Sequence, residues 1–397
     1  MKKKIVFLTW DYEPYHSAVS KCVENVINET KDFEVYVLCM NNRNYKTNKQ
    51  EKKIIRINHS LDLLHEKIIR NVKRVFSKNS LNQKIIEKYY KELSNNPLLR
   101  DVDCIIPTCM PYETVYSAIL YKKNINPTVK IIPYLFDQFT ENDNYHRSKV
   151  IKRIKNKMHL EFEQIIAEES DKVLFMDSVY RHYRKWFPEY EAKFIVLEHP
   201  LLIESKYKVP KNESGIINIT YTGSLIKNYI EPDYALSILK KIISKNNLIK
   251  FHVYSFGNYK KKLSKYEKNH PENFINHGTV VASKAQQAKI ESDFLLSISE
   301  VNGKQMSSKI FEYMALGKPI IHFYRRNNDV NVKILRKYDI SLLIEETPEK
   351  YESNIIKIQN FINTHKNKKI DFSELMDLFP EALPITTAEI IKKIINE

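Results

Sequence analysis

The chain has 397 residues, 43% of them hydrophobic and 28% charged, which fits an ordinary globular protein of two or three domains. Its 64 lysines and arginines outweigh 48 aspartates and glutamates, and the resulting +16 is spread over both halves, which favours anionic partners over a single basic tail. All six glycines lie beyond residue 214, which excludes a glycine-rich phosphate loop from the first half.

In chain order, the apolar run Ile5–Trp10 is stopped by Asp11. It is too short for a signal peptide and reads as a buried first strand. The strands expected in this half are Ile5–Leu8 within that run, Glu34–Cys39, Ile54–Ile57, Asp103–Ile106, Lys130–Tyr134, Lys172–Phe175 and Phe194–Leu197. Helical patterns lie between them, at Ser17–Thr30, Leu81–Leu93, Tyr112–Tyr121 and Ser148–Glu168. This alternation predicts a mostly parallel sheet with helices on both faces. The stretch 200–215, rich in charge and proline and closed by Gly215, reads as a linker. The alternation then restarts with strands Ile217–Tyr221, Lys250–Tyr254, Phe274–Asn276, Phe294–Ser297, Pro319–Phe323 and Ser341–Ile344. Helices are expected at Asp233–Ser244, Ser283–Glu291, Ser308–Leu316, Val330–Lys337 and Tyr351–His365. A last helix, Thr386–Ile395, follows the proline-marked stretch Pro380–Pro384. The expected fold class is α/β, with two tandem Rossmann-like, doubly wound domains, 1–199 and 216–380, and a cleft between them. Residues 381–397 are expected to pack back on the first domain.

Cys22, Cys39, Cys104 and Cys109 sit in apolar surroundings without a CxxC pair, so reduced core thiols of a cytoplasmic protein are expected. No apolar run reaches 18 residues. No DxD pair stands out, Asp101–Asp103 reads as a solvated turn, and no metal is expected.

The segment 294–321, FLLSISEVNGKQMSSKIFEYMALGKPII, reads as strand, loop, helix, tight turn and strand. Gly303 lies in the loop, and either Ser307 or Ser308 can cap the helix. Free N–H groups at a helix start suit a pyrophosphate, with Lys304 and Lys309 adding positive charge. Glu312, one turn into the helix, can accept hydrogen bonds from a ribose diol. Gly317 permits a left-handed turn and Pro319 ends the helix.

This segment resembles the signature helix of GT-B glycosyltransferases, in particular the retaining family 4 (group 1) type built around two glutamates separated by seven residues. The resemblance implies that Glu312 grips the ribose of a nucleotide and that the helix start, with Ser307, Ser308 and Lys309, faces the diphosphate. The first glutamate corresponds either to Glu300, through a longer loop, or in strict spacing to Lys304. ITYTGSL (219–225) resembles the first donor-domain strand and turn. It implies donor contacts from Gly223, from Ser224 where the family commonly has arginine, and from Lys227. FHVYSFGNY implies a turn at Gly257, and INHGTV implies base contacts around Gly278 and Val280. In the first half, the resemblance places His16 and Ser17 on the acceptor side, although Ser17 equally reads as a helix cap. Asp137, after the strand Lys130–Tyr134, corresponds to a position near the reaction centre. The implied reaction is transfer of a sugar from a nucleotide-diphosphate sugar, a UDP-sugar being favoured, to a saccharide or lipid-linked acceptor. Such transfer, with retention, serves surface polysaccharide or glycoconjugate assembly and needs no cofactor.

Two segments, 147–158 and 65–78, carry apolar residues at helical spacing among lysines and arginines. That pattern fits both an ordinary core-facing helix and an interfacial helix on an anionic membrane at the inner face of the cell. Three other readings compete: a catalytically impaired nucleotide-sugar-binding subunit, a basic nucleic-acid-binding protein, and an epimerase on the same scaffold. No helix-turn-helix, zinc-finger or RNA-binding aromatic signature supports the second, and no set of cleft carboxylates and histidines supports the third.

Overall fold

Short β-branched and aliphatic runs become strands buried on both faces, because helices cover each side of the parallel sheets they form. The computed structural model describes residues 2–13, 17–41, 53–58, 80–142, 146, 148–205 and 215–397. The chain divides into two units, Met1–Leu201 with Glu381–Glu397, and Leu202–Pro380.

The first unit runs β1 (Lys4–Leu8), α1 (Ala18–Glu29), β2 (Glu34–Asn41), β3 (Ile54–Asn58), α2 (Gln83–Asn95), β4 (Cys104–Pro107), α3 (Glu113–Asn124), β5 (Lys130–Ile131) and β6 (Tyr134–Leu135). It continues through α4 (Lys149–Glu169), β7 (Val173–Met176), α5 (Asp177–Trp186) and β8 (Phe194–Leu197). Five strands form a parallel sheet in the order β3-β2-β1-β4-β5, and β6-β7-β8 form a second parallel sheet. The expected strand Lys130–Tyr134 is thus two strands. Pro133 lacks an N–H and interrupts the ladder, and Tyr134 is bridged instead to Thr108. Val6, Leu38, Tyr89, Ile105 and Ile131 belong to the core between sheet and helices.

The second unit runs β9 (Ile217–Leu225), α6 (Asp233–Ile243), β10 (Ile249–Gly257), α7 (Lys260–Asn269), β11 (Phe274–Asn276), α8 (Ala282–Glu291), β12 (Phe294–Ile298), α9 (Ser308–Met314) and β13 (Ile320–Tyr324). It ends with α10 (Val330–Leu335), β14 (Ser341–Glu345), α11 (Tyr351–His365) and α12 (Phe372–Leu378). Its sheet is wholly parallel, ordered β11-β10-β9-β12-β13-β14. The strand order reverses between β9 and β12, and their carboxyl ends are where a doubly wound sheet opens a crevice for a ligand. Ile219, Leu239, Val253, Phe294, Phe323 and Ile358 belong to its core. The last helix, α13 (Pro384–Asn396), lies in the first unit. Lys3 and Lys130 donate to its terminal carbonyls at Ile395 (2.7 Å) and Ile394 (2.8 Å), a favourable use of cations at a helix C-terminus. Among the described residues no helix is long and apolar enough to cross a membrane.

Helices α5, α7 and α12 are absent from the reading of the sequence. The segments of α5 and α7, DSVYRHYRKW and KKKLSKYEKN, carry few aliphatic residues: α5 turns Val179, His182 and Tyr183 inward, and α7 buries only Leu263. The segment of α12, FSELMDL, has only seven residues and buries only Leu375. Such short or polar helices are stabilised by their tertiary place more than by propensity.

Candidate active site

At the switch point of the second unit, the carboxyl end of β9 meets helix α9. Gly223 has φ +141°, and a Cβ built there would fall on the Nζ and Cε of Lys309. Only glycine leaves room for that ammonium beside the β9 backbone. The Lys309 ammonium also lies 5.9 Å from the centre of the Tyr221 ring. Burial pushes its pKa down to about 8, and Glu312, one turn along the same helix, partly offsets that shift. Glu312 receives a second lysine from α8: the buried Lys289 Nζ lies 2.6 Å from its Oε2. With Lys309 against the glycine turn and Lys289 paired to Glu312 beside it, the group carries net positive charge, which suits an anion.

Helix α9 is fixed near its C-terminal end by Tyr313. Its hydroxyl lies 3.0 Å from Thr222 Oγ1 and 3.3 Å from Thr222 N. Gly317 closes the turn after it at φ +63°, where a Cβ would meet the carbonyl oxygen of Ile370. Ser307 is the N-cap but makes no side-chain capping bond. Its own N–H is given to Asn331 Oδ1 at 2.7 Å.

The loop 299–307 is held from below and from within. The fully buried Asn331 also donates from Nδ2 to Gln305 O (3.1 Å), Asp329 Oδ1 (2.9 Å) and Ser299 Oγ (3.3 Å). Ser299 Oγ lies 3.0 Å from Nε2 of the buried His322, whose pKa burial pushes down to about 3. Gly303, at φ +67°, packs against Asp329 and accepts the N–H of Val330 at 3.0 Å. The buried Glu300 turns its carboxylate back into this loop: Oε2 accepts from Asn302 N (2.7 Å), and Oε1 from Lys304 N (2.5 Å) and Gln305 N (3.3 Å). Glu300 thus organises the loop, and the Lys304 side chain is exposed.

The remaining donor-side candidates occupy neighbouring strand ends. Ser224 O accepts the Tyr221 hydroxyl at 2.8 Å. Gly257, at φ +124°, lets its turn press on the Leu225 carbonyl, and Asn258 then accepts the N–H of the exposed Lys227 at 3.3 Å. Gly278 (φ +62°) and the half-buried Val280 follow the edge strand β11. Of the sequence candidates, the structure brings Gly223, Lys309 and Glu312 together and commits Glu300 and Ser307 to loop geometry. Lys289 and Asn331 are not among the candidates read from the sequence. Lys289 reads there as one more lysine of an amphipathic helix, and the Asp329-Val330-Asn331 run reads only as a helix start.

In the first unit, Ser17 caps α1. Its Oγ accepts from Ser20 N (3.3 Å) and donates to Asp11 Oδ1 (2.8 Å). His16 lies outside the described residues. Asp137 is half-buried just beyond the carboxyl end of β6, with its carbonyl accepting the Tyr112 hydroxyl at 2.5 Å. Cys109 Sγ accepts the N–H groups of Phe136 (3.1 Å) and Asp137 (3.3 Å). Among the described residues no group of three or more His, Cys, Asp or Glu side chains is placed to hold a metal ion.

Comparison with known proteins adds to this geometry. Residues 217–360 match the family described as glycosyl transferases group 1. Among solved structures, WaaG, a glycosyltransferase involved in lipopolysaccharide biosynthesis, is similar over 98% of this chain and 99% of its own (TM-score 0.64, 11% identity). A mutant of S. aureus TarM, in complex with fondaparinux, α-GlcNAc-glycerol and UDP, is similar over 100% of each chain (TM-score 0.60, 11% identity). A putative UDP-N-acetylglucosamine 2-epimerase from Listeria monocytogenes is similar over 98% of this chain and 95% of its own (TM-score 0.61, 10% identity). At these identities the likeness shows the shared fold. No curated protein matches the chain closely enough in sequence to count as a relative. The family match lies within the second unit, which holds Gly223, Lys309 and Glu312, and the chain as a whole has the GT-B fold of two Rossmann-like domains.

Proposed function

We propose that the protein transfers a sugar from a UDP-sugar to a saccharide or lipid-linked acceptor, with retention, in surface polysaccharide or glycoconjugate assembly. The observation that carries this reading is the Lys289–Glu312–Lys309 cluster against the Cβ-less backbone of Gly223. Glu312 accepts hydrogen bonds from the ribose, while Lys309 and the start of α9 meet the diphosphate. Catalysis then rests on positioning the donor and stabilising the charge that develops on the departing diphosphate. No protein nucleophile is required, and Asp137 in the first unit orients the acceptor hydroxyl. UDP in the TarM complex supports the choice of base, and the involvement of WaaG in lipopolysaccharide biosynthesis supports a glycoconjugate acceptor.

A lipid-linked acceptor also gives meaning to the start of α4. Val150 and Ile154 are 68% and 71% exposed there, among exposed Lys149, Arg153 and Lys157. We assign this surface to an anionic membrane. Arg147 and the second basic segment, 65–78, lie outside the described residues.

The test begins with thermal shift of the full chain against UDP, GDP, ADP and CMP, since a ligand of the native state raises Tm by mass action. UDP is expected to stabilise the wild type. Glu312→Gln, which keeps the shape but loses the charge and one acceptor site, is expected to lose most of that shift. Transfer from UDP-glucose, UDP-galactose and UDP-N-acetylglucosamine to a saccharide array follows, with the product anomer read by NMR. Stabilisation by another nucleotide alone, or a full UDP shift in Glu312→Gln, would overturn the ribose assignment.

A further inference from the structure

The loop 136–142 leaves the carboxyl end of β6 and carries Asp137. It is tied down by a carboxylate that nothing in the donor chemistry uses. Glu163, on α4, is fully buried. Its Oε1 accepts the N–H groups of Phe139 and Thr140, each at 3.2 Å. Its Oε2 accepts the Thr140 hydroxyl at 2.6 Å and lies 2.7 Å from Nε2 of His182 on α5. His182 is itself buried, and its Nδ1 lies 3.7 Å from Glu141 of the same loop. From the other side, Gln138 donates to Ser178 O at the start of α5 (2.7 Å), and His146 Nε2 lies 2.8 Å from Phe139 O.

Every acceptor site on Glu163 is thus turned to one short loop or to the histidine that braces it. A buried ion pair adds little net stability compared with apolar packing of the same volume, because both charges lose their water. What such a pair does supply is a unique position for the backbone it bonds. Two successive amides, one hydroxyl and one imidazole on a single carboxylate leave the Asp137 loop one conformation at the rim of the sheet, where doubly wound units receive ligands.

We propose that Glu163 and His182 are positioning residues for the acceptor: together they fix the 136–142 loop so that Asp137 stands at the reacting hydroxyl. This rests on the acceptor role of Asp137 given above. The two residues act through the loop and touch no substrate.

The experiment compares full-length wild type with His182→Gln, which can still donate to Glu163, and His182→Leu, which cannot. Hydrogen exchange of peptides covering 136–142 reads the loop. Acceptor KM and kcat on the array acceptor read its use, and the UDP thermal shift serves as control for the second unit. In His182→Leu, protection of the loop amides is expected to fall about tenfold, and acceptor kcat/KM by about tenfold or more, with the UDP shift unchanged. His182→Gln is expected to restore most of both. Unchanged protection in His182→Leu overturns the anchor. Lost protection with unchanged acceptor kinetics overturns the positioning role and leaves a structural one. A wild type that binds UDP yet transfers to no saccharide and to no lipid-linked acceptor overturns the acceptor role of the loop, while the exchange result still decides the anchor. Absence of a UDP shift in the wild type counts against the donor reading alone.

Discussion

At the scale of residues, Lys309 is the side chain on which the proposed donor site turns. Its ammonium occupies space that only a glycine at position 223 leaves open, and burial lowers its pKa to about 8. Near neutral pH it is still mostly charged, and a bound diphosphate would hold it charged at higher pH. Affinity for UDP should therefore be flat up to about pH 7.5. Above pH 8 the free protein must take up a proton to bind, so affinity should fall by up to about tenfold per pH unit. Isothermal titration of UDP from pH 7 to 9 in the wild type and in Lys309→Met measures this. The variant should bind more weakly and lose the slope. An equal slope in both proteins would show that the titrating group is elsewhere. The spacing of Lys309 and Glu312 on one helix was legible in the sequence, because a three-residue step puts both on one face. Lys289 was not, since nothing local to AKIE distinguishes a lysine that turns inward to a carboxylate on another helix.

At the scale of elements, the order of strands and helices was legible because parallel strands covered on both faces must be short apolar runs. The departures have local causes: Pro133 splits one expected strand, α5 and α7 carry few aliphatic residues, and α12 is only seven residues long. The shape of the loop 299–307 was not legible, because it is set by Asn331 and Asp329 from a different strand–helix connection. Helix α4 shows both sides of the problem. Toward its C-terminal half it buries Phe162, Glu163, Ile166 and Ala167, as a core-facing helix should. Its first two turns instead present Val150 and Ile154 to solvent, flanked by exposed cations. Submerging two aliphatic side chains is worth about 3 kcal/mol or more, beyond the attraction of lysines and arginines to an anionic surface. The double variant Val150→Ser, Ile154→Ser is expected to bind phosphatidylglycerol vesicles roughly 100-fold more weakly than the wild type in co-sedimentation. Its UDP thermal shift should not change. If wild type ignores such vesicles at low salt, or if the double variant binds them as well, this helix is not the membrane contact.

For the whole molecule, the pH response of stability follows from histidines buried without charge in both units. His159 and His199 in the first unit are pushed down to about 3 and about 4, and His252 and His322 in the second to about 4 and about 3, in each case first by burial. Their ordinary value is near 6.5. Above that pH both folded and unfolded chains hold them neutral. As pH falls below it, the unfolded chain takes up protons that the folded chain refuses, and stability is lost. Glu24 works the other way: burial raises its carboxyl to about 7, so the folded state gains a proton over the same range. Asp329 and Glu346, also raised by burial, oppose the histidines toward the acid end. His182 is neutral to the balance here, because a histidine raised to about 9 is protonated in both states below 6.5. The net expectation at pH 5.5 is uptake of roughly two to three protons on unfolding, or roughly 3 to 4 kcal/mol of stability lost per pH unit. Calorimetry in buffers of different ionisation enthalpy, from pH 7 to 4.5, measures that uptake directly. Both units should lose stability together, since each holds two such histidines. A Tm that stays level to pH 5, or unfolding that releases protons there, would mean that these imidazoles reach water in the folded protein.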